Sequence, residues 1–256
     1  MGERRQLASR PPLRYLASMK LLLSTALLVA AVVLYTTSPS QLLYSTHPLA
    51  VYALLLSGLG VAWLSNRGKA RLAILVLASA IGAMTFYLHS VRSHTESAEL
   101  SIAIGDTFPD VVLPTSTGFE FSSAQLRGRT AALYLFYRGD WCPFCRTELG
   151  AINGYYAQIR KAGVELFAVS VDPPETSERL RQRLAVPFTF VSDTDGSLLD
   201  RLGIRHVGGH DGGDIAYPAQ VLVDRNGKVR WTFRADSYRQ RARPEDVLAA
   251  IAKLEP

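Results

Sequence analysis

Cys142 and Cys145 are the only two cysteines in the chain. They stand in the stretch Tyr137-Arg-Gly-Asp-Trp-Cys142-Pro-Phe-Cys145. A C-x-x-C placed between a buried strand and a helix is a redox signature. A helix start presents unpaired N–H groups and a partial positive charge, which stabilise a thiolate. Cys142 is therefore the expected nucleophile and the more exposed sulfur. Cys145, shielded by the helix, is the expected resolving thiol. The corresponding chemistry is attack of a thiolate on a disulfide, a mixed disulfide, and release by the second thiol. Pro143 fits the first helical turn, where its missing N–H costs nothing. Arg138 beside the site favours a thiolate and Asp140 opposes one. Trp141 is expected as a platform beside the sulfur. With no other cysteine, the only disulfide the chain can form internally is Cys142–Cys145, and no cofactor or metal is expected beyond it.

These residues need a strand and a helix to hold them. Ala131 to Tyr137 is an apolar and aromatic run that reads as the central buried strand, ended by Gly139 and Asp140. Arg146 to Lys161 reads as one helix. Val164 to Val171 is a second buried strand, Glu175 to Leu184 a helix, Phe188 to Val191 a short strand and Ser197 to Leu202 a short helix. Val111 to Leu113 and Phe119 to Phe121 read as strands around a turn at Gly118. Ile204 to Ala216 reads as a loop rich in Gly and His. Ala219 to Asp224 and Val229 to Arg234, joined by Arg225-Asn-Gly227, read as a β-hairpin. Pro244 to Leu254 closes with a helix. This order implies an α/β unit over 103–256, a mixed sheet with helices on both faces, entered through a polar linker at 91–102.

Residues 1–90 are of a different kind. Three apolar runs, at about 21–36, 48–64 and 72–89, carry no polar face and approach the roughly 17–25 residues a membrane-spanning helix needs. The hydrophobic content of 48% suits such a region. The net charge of +6 does not gather into a basic and aromatic array, so nucleic acid is not an expected partner. The basic residues flank the runs instead. The N-terminal segment carries Arg4, Arg5, Arg10, Arg14 and Lys20, the first loop has no Lys or Arg, and the second has Arg67, Lys69 and Arg71. The positive-inside rule then places the N-terminus and second loop in the cytoplasm and everything after about Ser90 outside. A cleaved first run would leave the same result. The expectation is a multi-pass protein of the cell membrane, its C-terminal unit on the oxidising, extracytoplasmic side where a disulfide persists.

The C-terminal part resembles the thioredoxin-fold redoxins, the group of alkyl hydroperoxide reductase and thiol-specific antioxidant proteins (AhpC/TSA), which includes peroxiredoxin-like members and membrane-tethered thiol–disulfide oxidoreductases. The stretch Tyr137 to Cys145 carries the likeness, with Gly105-Asp-x-Phe-Pro109 similar to the redoxin entry segment and Val221 to Gly227 similar to a late strand and turn. The resemblance implies a thioredoxin-like fold and a cis-proline at Tyr217-Pro218 facing the cysteines, where it would pair with an extended substrate. It implies protein or small-molecule thiols and disulfides as substrates, or peroxide, and a membrane electron donor. Two positions depart from the family. Peroxidatic members place Pro and Thr/Ser where this chain has Leu135 and Gly139, which argues against a peroxidase. Thioredoxins place a buried Asp where this chain has Phe136, which leaves Glu148 or a water as proton acceptor. A rival of another class is a metal-binding module using Cys142, Cys145, His206 and His210; Asp211 and Asp214 share the histidine loop.

Overall fold

The structure is a computed structural model, and it describes residues 13–37, 44, 49–64, 68–93, 100–234 and 237–254. The basic N-terminal twelve residues, most of the first loop, Arg67 of the second and 94–99 of the linker lie outside the described residues. The chain divides into two units, Met1–Ser93 and His94–Pro256.

The N-terminal unit holds three helices, α1 (Leu13–Thr37), α2 (Leu49–Trp63) and α3 (Lys69–Phe86), the last running into a π-helical turn at Tyr87–Val91. Leu28 and Ala31 of α1, Val51 and Leu55 of α2 and Ala78 of α3 form its small core. Close approach is set at Gly58, where a Cβ would meet the Leu28 side chain at 3.0 Å. Ser24 Oγ donates to the Gly58 carbonyl at 2.8 Å, so a lone polar group between α1 and α2 is satisfied. Ser18–Thr37 and Arg71–His89 are long and apolar enough to cross a membrane. The helix α2, at 15 residues, is shorter. At 1.5 Å per residue it reaches about 22 Å, against a hydrocarbon core of about 30 Å.

The C-terminal unit is built on a five-stranded sheet. A small antiparallel hairpin, β1 (Val112–Pro114) with β2 (Glu120–Ser122), precedes it. Next come β3 (Ala131–Phe136), α4 (Pro143–Asn153), α5 (Tyr156–Lys161), β4 (Val164–Ser170), α6 (Pro174–Leu184), β5 (Thr189–Ser192) and α7 (Ser197–Leu202). A second hairpin, β6 (Arg205–His210) with β7 (Gly213–Ala216), leads to β8 (Ala219–Val223), β9 (Val229–Arg234) and α8 (Pro244–Ile251). Sheet order is β5-β4-β3-β8-β9. Strands β3, β4 and β5 run parallel; β8 and β9 are antiparallel to their neighbours. The parallel strands are buried on both faces, which explains the unbroken apolar run of β3.

Period-two alternation along β3 divides the core. Leu133, Leu135 and Tyr137 face α4, α6 and α8, together with both cysteines. Ala132, Tyr134 and Phe136 face the other side with α7, Phe108, Phe121 and Phe167. There the Phe108 and Tyr134 rings stack at 4.2 Å.

Two expectations are corrected. The single helix over Arg146 to Lys161 begins earlier, at Pro143, and is broken into α4 and α5 around Gly154. Ile204 to Ala216 is no loop but the β6–β7 hairpin, turned by Asp211 and Gly212, both at positive φ. Asp-Gly is the dipeptide that a two-residue hairpin turn favours, because both central residues must be left-handed.

Candidate active site

The sequence around the cysteines folds locally for a plain reason. A residue before proline is pushed out of the helical region. Cys142 accordingly takes extended angles (φ −77°, ψ 114°) and becomes the N-cap of α4, with Pro143 in its first turn. Its carbonyl accepts the first helical bond from the Arg146 N–H at 3.1 Å. Cys145, three positions on, lies on the buried face of α4 with Glu148 and Leu149. Both cysteines are free thiols, and both are fully buried, at 0% exposure. The expectation that Cys142 would be the exposed sulfur is thus corrected for this reduced state: Trp141 and Phe144 pack against the cluster that holds both.

The two thiols are held in unlike electrostatic states. Cys142 is lowered to about 6, chiefly because the Cys145 thiol donates to its sulfur, and further by the charges of Arg241 and Arg138, against the effect of burial. Cys145 is raised well above the ordinary thiol value, by burial first and then by its bond to Cys142. Its own sulfur accepts from Arg241 Nη2 at 3.2 Å and from the Arg138 backbone N–H at 3.4 Å. A donor chain therefore runs from Arg241 through Cys145 to Cys142, and it polarises the second thiol toward the first.

Arg241, from the segment before α8, is the residue sequence reasoning missed. It is 3% exposed. Its Nε is paired to Glu148 Oε2, and its Nη1 reaches the carbonyls of Tyr238 and Gln240 at 2.8 and 2.9 Å. Glu148, also 3% exposed, accepts from Gln220 Nε2 at 2.8 Å. Burial raises the Glu148 carboxyl to about 7, partly offset by Arg241. A carboxyl poised there, held by the same guanidinium that contacts Cys145, can exist in either protonation state near neutral pH.

The remaining expected residues are placed as follows. The Arg138 guanidinium lies over the rings of Trp141 and Tyr238, at 4.9 and 4.7 Å from their centroids. Trp141 also stacks on His210 at 3.5 Å. The Asp140 backbone N–H donates to Asp172 Oδ2 at 2.9 Å, which ties the cysteine loop to the end of β4. Burial and the Asp140 charge raise Asp172 to about 6. Gly139 has no room for a side chain: a Cβ would lie 2.5 Å from Trp141 Nε1 and 3.2 Å from Asp172 Oδ1.

Pro218 is buried at the entry to β8, beside the strand end where Ala219 pairs with Phe136. There are no cis peptides among the described residues, so the expected cis bond at Tyr217-Pro218 is corrected to trans. The Tyr217 N–H donates to the Ile204 carbonyl at 2.7 Å. Its ring stacks between His206 at 4.5 Å and the Arg234 guanidinium at 4.6 Å. The two histidines of the metal reading thus meet aromatic rings. Among the described residues no three His, Cys, Asp or Glu side chains converge to hold a metal.

Comparison with known proteins agrees with this architecture. The profile of the AhpC/TSA family matches residues 104–232. The thiol-disulfide oxidoreductase ResA of Geobacillus kaustophilus is 29% identical over 158 residues, covering 61% of this chain and 80% of ResA. Peroxiredoxin Bcp of Escherichia coli K12 is 26% identical over 131 residues, covering 50% of this chain and 83% of Bcp. Among solved structures, peroxidoxin BcpB of Mycobacterium tuberculosis superposes with a TM-score of 0.54 at 19% identity, over 60% of this chain and 99% of that one.

Proposed function

This chain belongs to the AhpC/TSA family of redoxin oxidoreductases, and on that premise we propose that it is a membrane-anchored thiol–disulfide oxidoreductase working outside the cytoplasm through Cys142 and Cys145. The observation that carries the reading is a thiol lowered to about 6 at a helix N-cap with a second thiol bonded to it. In the reducing direction the Cys142 thiolate attacks one sulfur of a substrate disulfide. The substrate S–S bond breaks, a mixed disulfide forms, and the departing thiolate takes up a proton. Cys145 then loses its proton, for which Glu148 or a water is the acceptor, and attacks the Cys142 sulfur. The mixed disulfide breaks, the second substrate thiol leaves, and two electrons have moved from the dithiol to the substrate. The reverse sequence oxidises a dithiol. An electron donor or acceptor of the membrane closes the cycle. The apolar helices α1 and α3 and the basic residues flanking the apolar runs support the anchoring and the outward orientation.

The test uses the full chain in detergent micelles with a dithiol as electron source and a protein disulfide as substrate. Cys142→Ser is expected to abolish reduction, and Cys145→Ser to accumulate a mixed disulfide at Cys142. Full activity of Cys142→Ser would remove the reading. Fusing a phosphatase that works only outside the cytoplasm to the C-terminus tests the orientation; an inactive fusion contradicts it.

The second reading is a thiol peroxidase, favoured by the likeness to peroxiredoxin Bcp. Cys142 would then attack a peroxide oxygen, break the O–O bond and become a sulfenic acid, which Cys145 condenses to a disulfide with loss of water. Gly139 speaks against it, since the hydroxyl that peroxidatic members place there has no space beside Trp141. Stopped-flow mixing with hydrogen peroxide separates the readings: oxidation of Cys142 no faster than that of a free thiol leaves exchange alone.

A further inference from the structure

Arg138 stands out among the charges near the sulfurs. Its backbone N–H contacts Cys145 Sγ, so it is fixed one bond from the reacting pair. Its guanidinium is half-buried and held by the Trp141 and Tyr238 rings. Neither ring supplies an acceptor for its in-plane N–H groups. Among the described residues its side chain makes no ion pair and donates no hydrogen bond. Arg241, by contrast, is satisfied by Glu148, the Cys145 sulfur and two carbonyls. A guanidinium clamped by aromatic rings, with its donor edge unengaged, is an organised receptor for a carboxylate, because stacking uses the plane and bidentate recognition uses the edge. Asp172, beside the same loop, accepts from the Asp140 backbone instead. The charge of Arg138 also reaches Cys142, which places it within electrostatic range of the attacked sulfur.

We propose that Arg138 is a specificity-determining residue that binds a carboxylate of the substrate and so selects disulfides with a negative charge within a few bonds of the reacting sulfur. The proposal rests on the exchange reading above and names the substrate class of that site. Two sources carry this chemistry, a small diacid disulfide and a protein disulfide flanked by Asp or Glu.

The experiment measures kcat/KM of the full chain in detergent with bis(2-carboxyethyl) disulfide, bis(2-hydroxyethyl) disulfide and cystamine. Each value is divided by the rate of a small free dithiol with the same compound, which removes intrinsic reactivity. A charge-assisted pair predicts a preference for the diacid over the neutral disulfide of about tenfold to a hundredfold, with cystamine slowest. Arg138→Gln is expected to bring the ratio near one, and Arg138→Lys to keep part of it. A ratio is insensitive to any change in Cys142 itself, since all three substrates meet the same thiolate. Should Arg138→Gln fail to fold, inhibition of the wild-type diacid reaction, and not of the neutral one, by added succinate gives the same information. Equal relative rates for all three compounds in the wild type, together with no preference for a Glu-flanked over a Lys-flanked peptide disulfide, overturn the proposal and leave exchange standing. Reduction of none overturns both. Peptide disulfides flanked by Glu or by Lys form the second arm: preference for the Glu peptide with the small diacid also preferred assigns both sources, and preference for the Glu peptide alone assigns the protein source.

Discussion

Arg241→Met tests whether one buried cation holds the site together. The substitution keeps much of the side-chain volume and removes the charge. It leaves Glu148, 3% exposed, without its ion-pair partner, and leaves the Tyr238 and Gln240 carbonyls without a donor. Breaking a buried pair by removing one partner costs about 3–5 kcal/mol, because an uncompensated charge or a protonated acid remains. For a unit of this size each kcal/mol lowers Tm by about 2–4 °C, so the loss is about 6–20 °C. Adding Glu148→Gln removes the stranded carboxyl while the amide retains a bond to Gln220. The double variant is expected to recover about 2 kcal/mol or more relative to Arg241→Met, a coupling typical of residues in one network. The assay is thermal unfolding of the reduced full chain, followed by tryptophan fluorescence. Loss of under about 1 kcal/mol for Arg241→Met, or a double variant no more stable than the single one, would refute this reasoning. The same substitution is expected to raise the Cys142 pKa, since one of the charges that lowers it is gone.

Stability should also depend on pH in two opposed windows. Glu148 and Asp172 are raised in the folded protein to about 7 and about 6 from 4.5 and 3.8, so the native state binds more protons between those values. Stability therefore falls as pH rises through that range, and Glu148→Gln flattens the slope in denaturant titrations at successive pH values. Cys142 is lowered from 9.0 to about 6, so its contribution is complete above the higher value and lost as pH falls through the lower. Cys142→Ser should remove that second slope. Gly139→Thr is expected to confer no peroxidase activity and to lower exchange, because its Cβ displaces Trp141; rapid peroxide-dependent oxidation in that variant would contradict the packing. Leu135→Ala, at 0% exposure in the central strand, should cost about 2–5 kcal/mol in the same unfolding assay.

The parts of the fold that follow from short-range rules were legible in the chain. The apolar run of β3, the Asn-Gly turn between β8 and β9 and the position of Cys142 at the start of a helix all depend on neighbours in sequence. Phe136, standing where an acid is expected, pointed to Glu148 or a water as proton acceptor, and the structure buries Glu148 one turn beyond Cys145. Arg241 was not legible, because its reason for being buried lies 96 residues away at Cys145. Nothing in Arg239-Gln-Arg241-Ala-Arg243 distinguishes a buried arginine from a solvated one. The β6–β7 hairpin was legible in Asp211-Gly212, but the surrounding glycines and histidines masked the turn signal. The bond at Pro218 is trans, the isomer an X–Pro bond favours by default, and the cis expectation rested on the family resemblance rather than on any pattern in this chain.

The most direct measurement is the pH dependence of alkylation of the reduced full chain, with the modified cysteine identified by mass. Labelling should fall on Cys142, follow a midpoint near 6 and spare Cys145. Labelling of Cys145 first, or a Cys142 midpoint at the ordinary thiol value, would contradict a thiolate held at the start of α4.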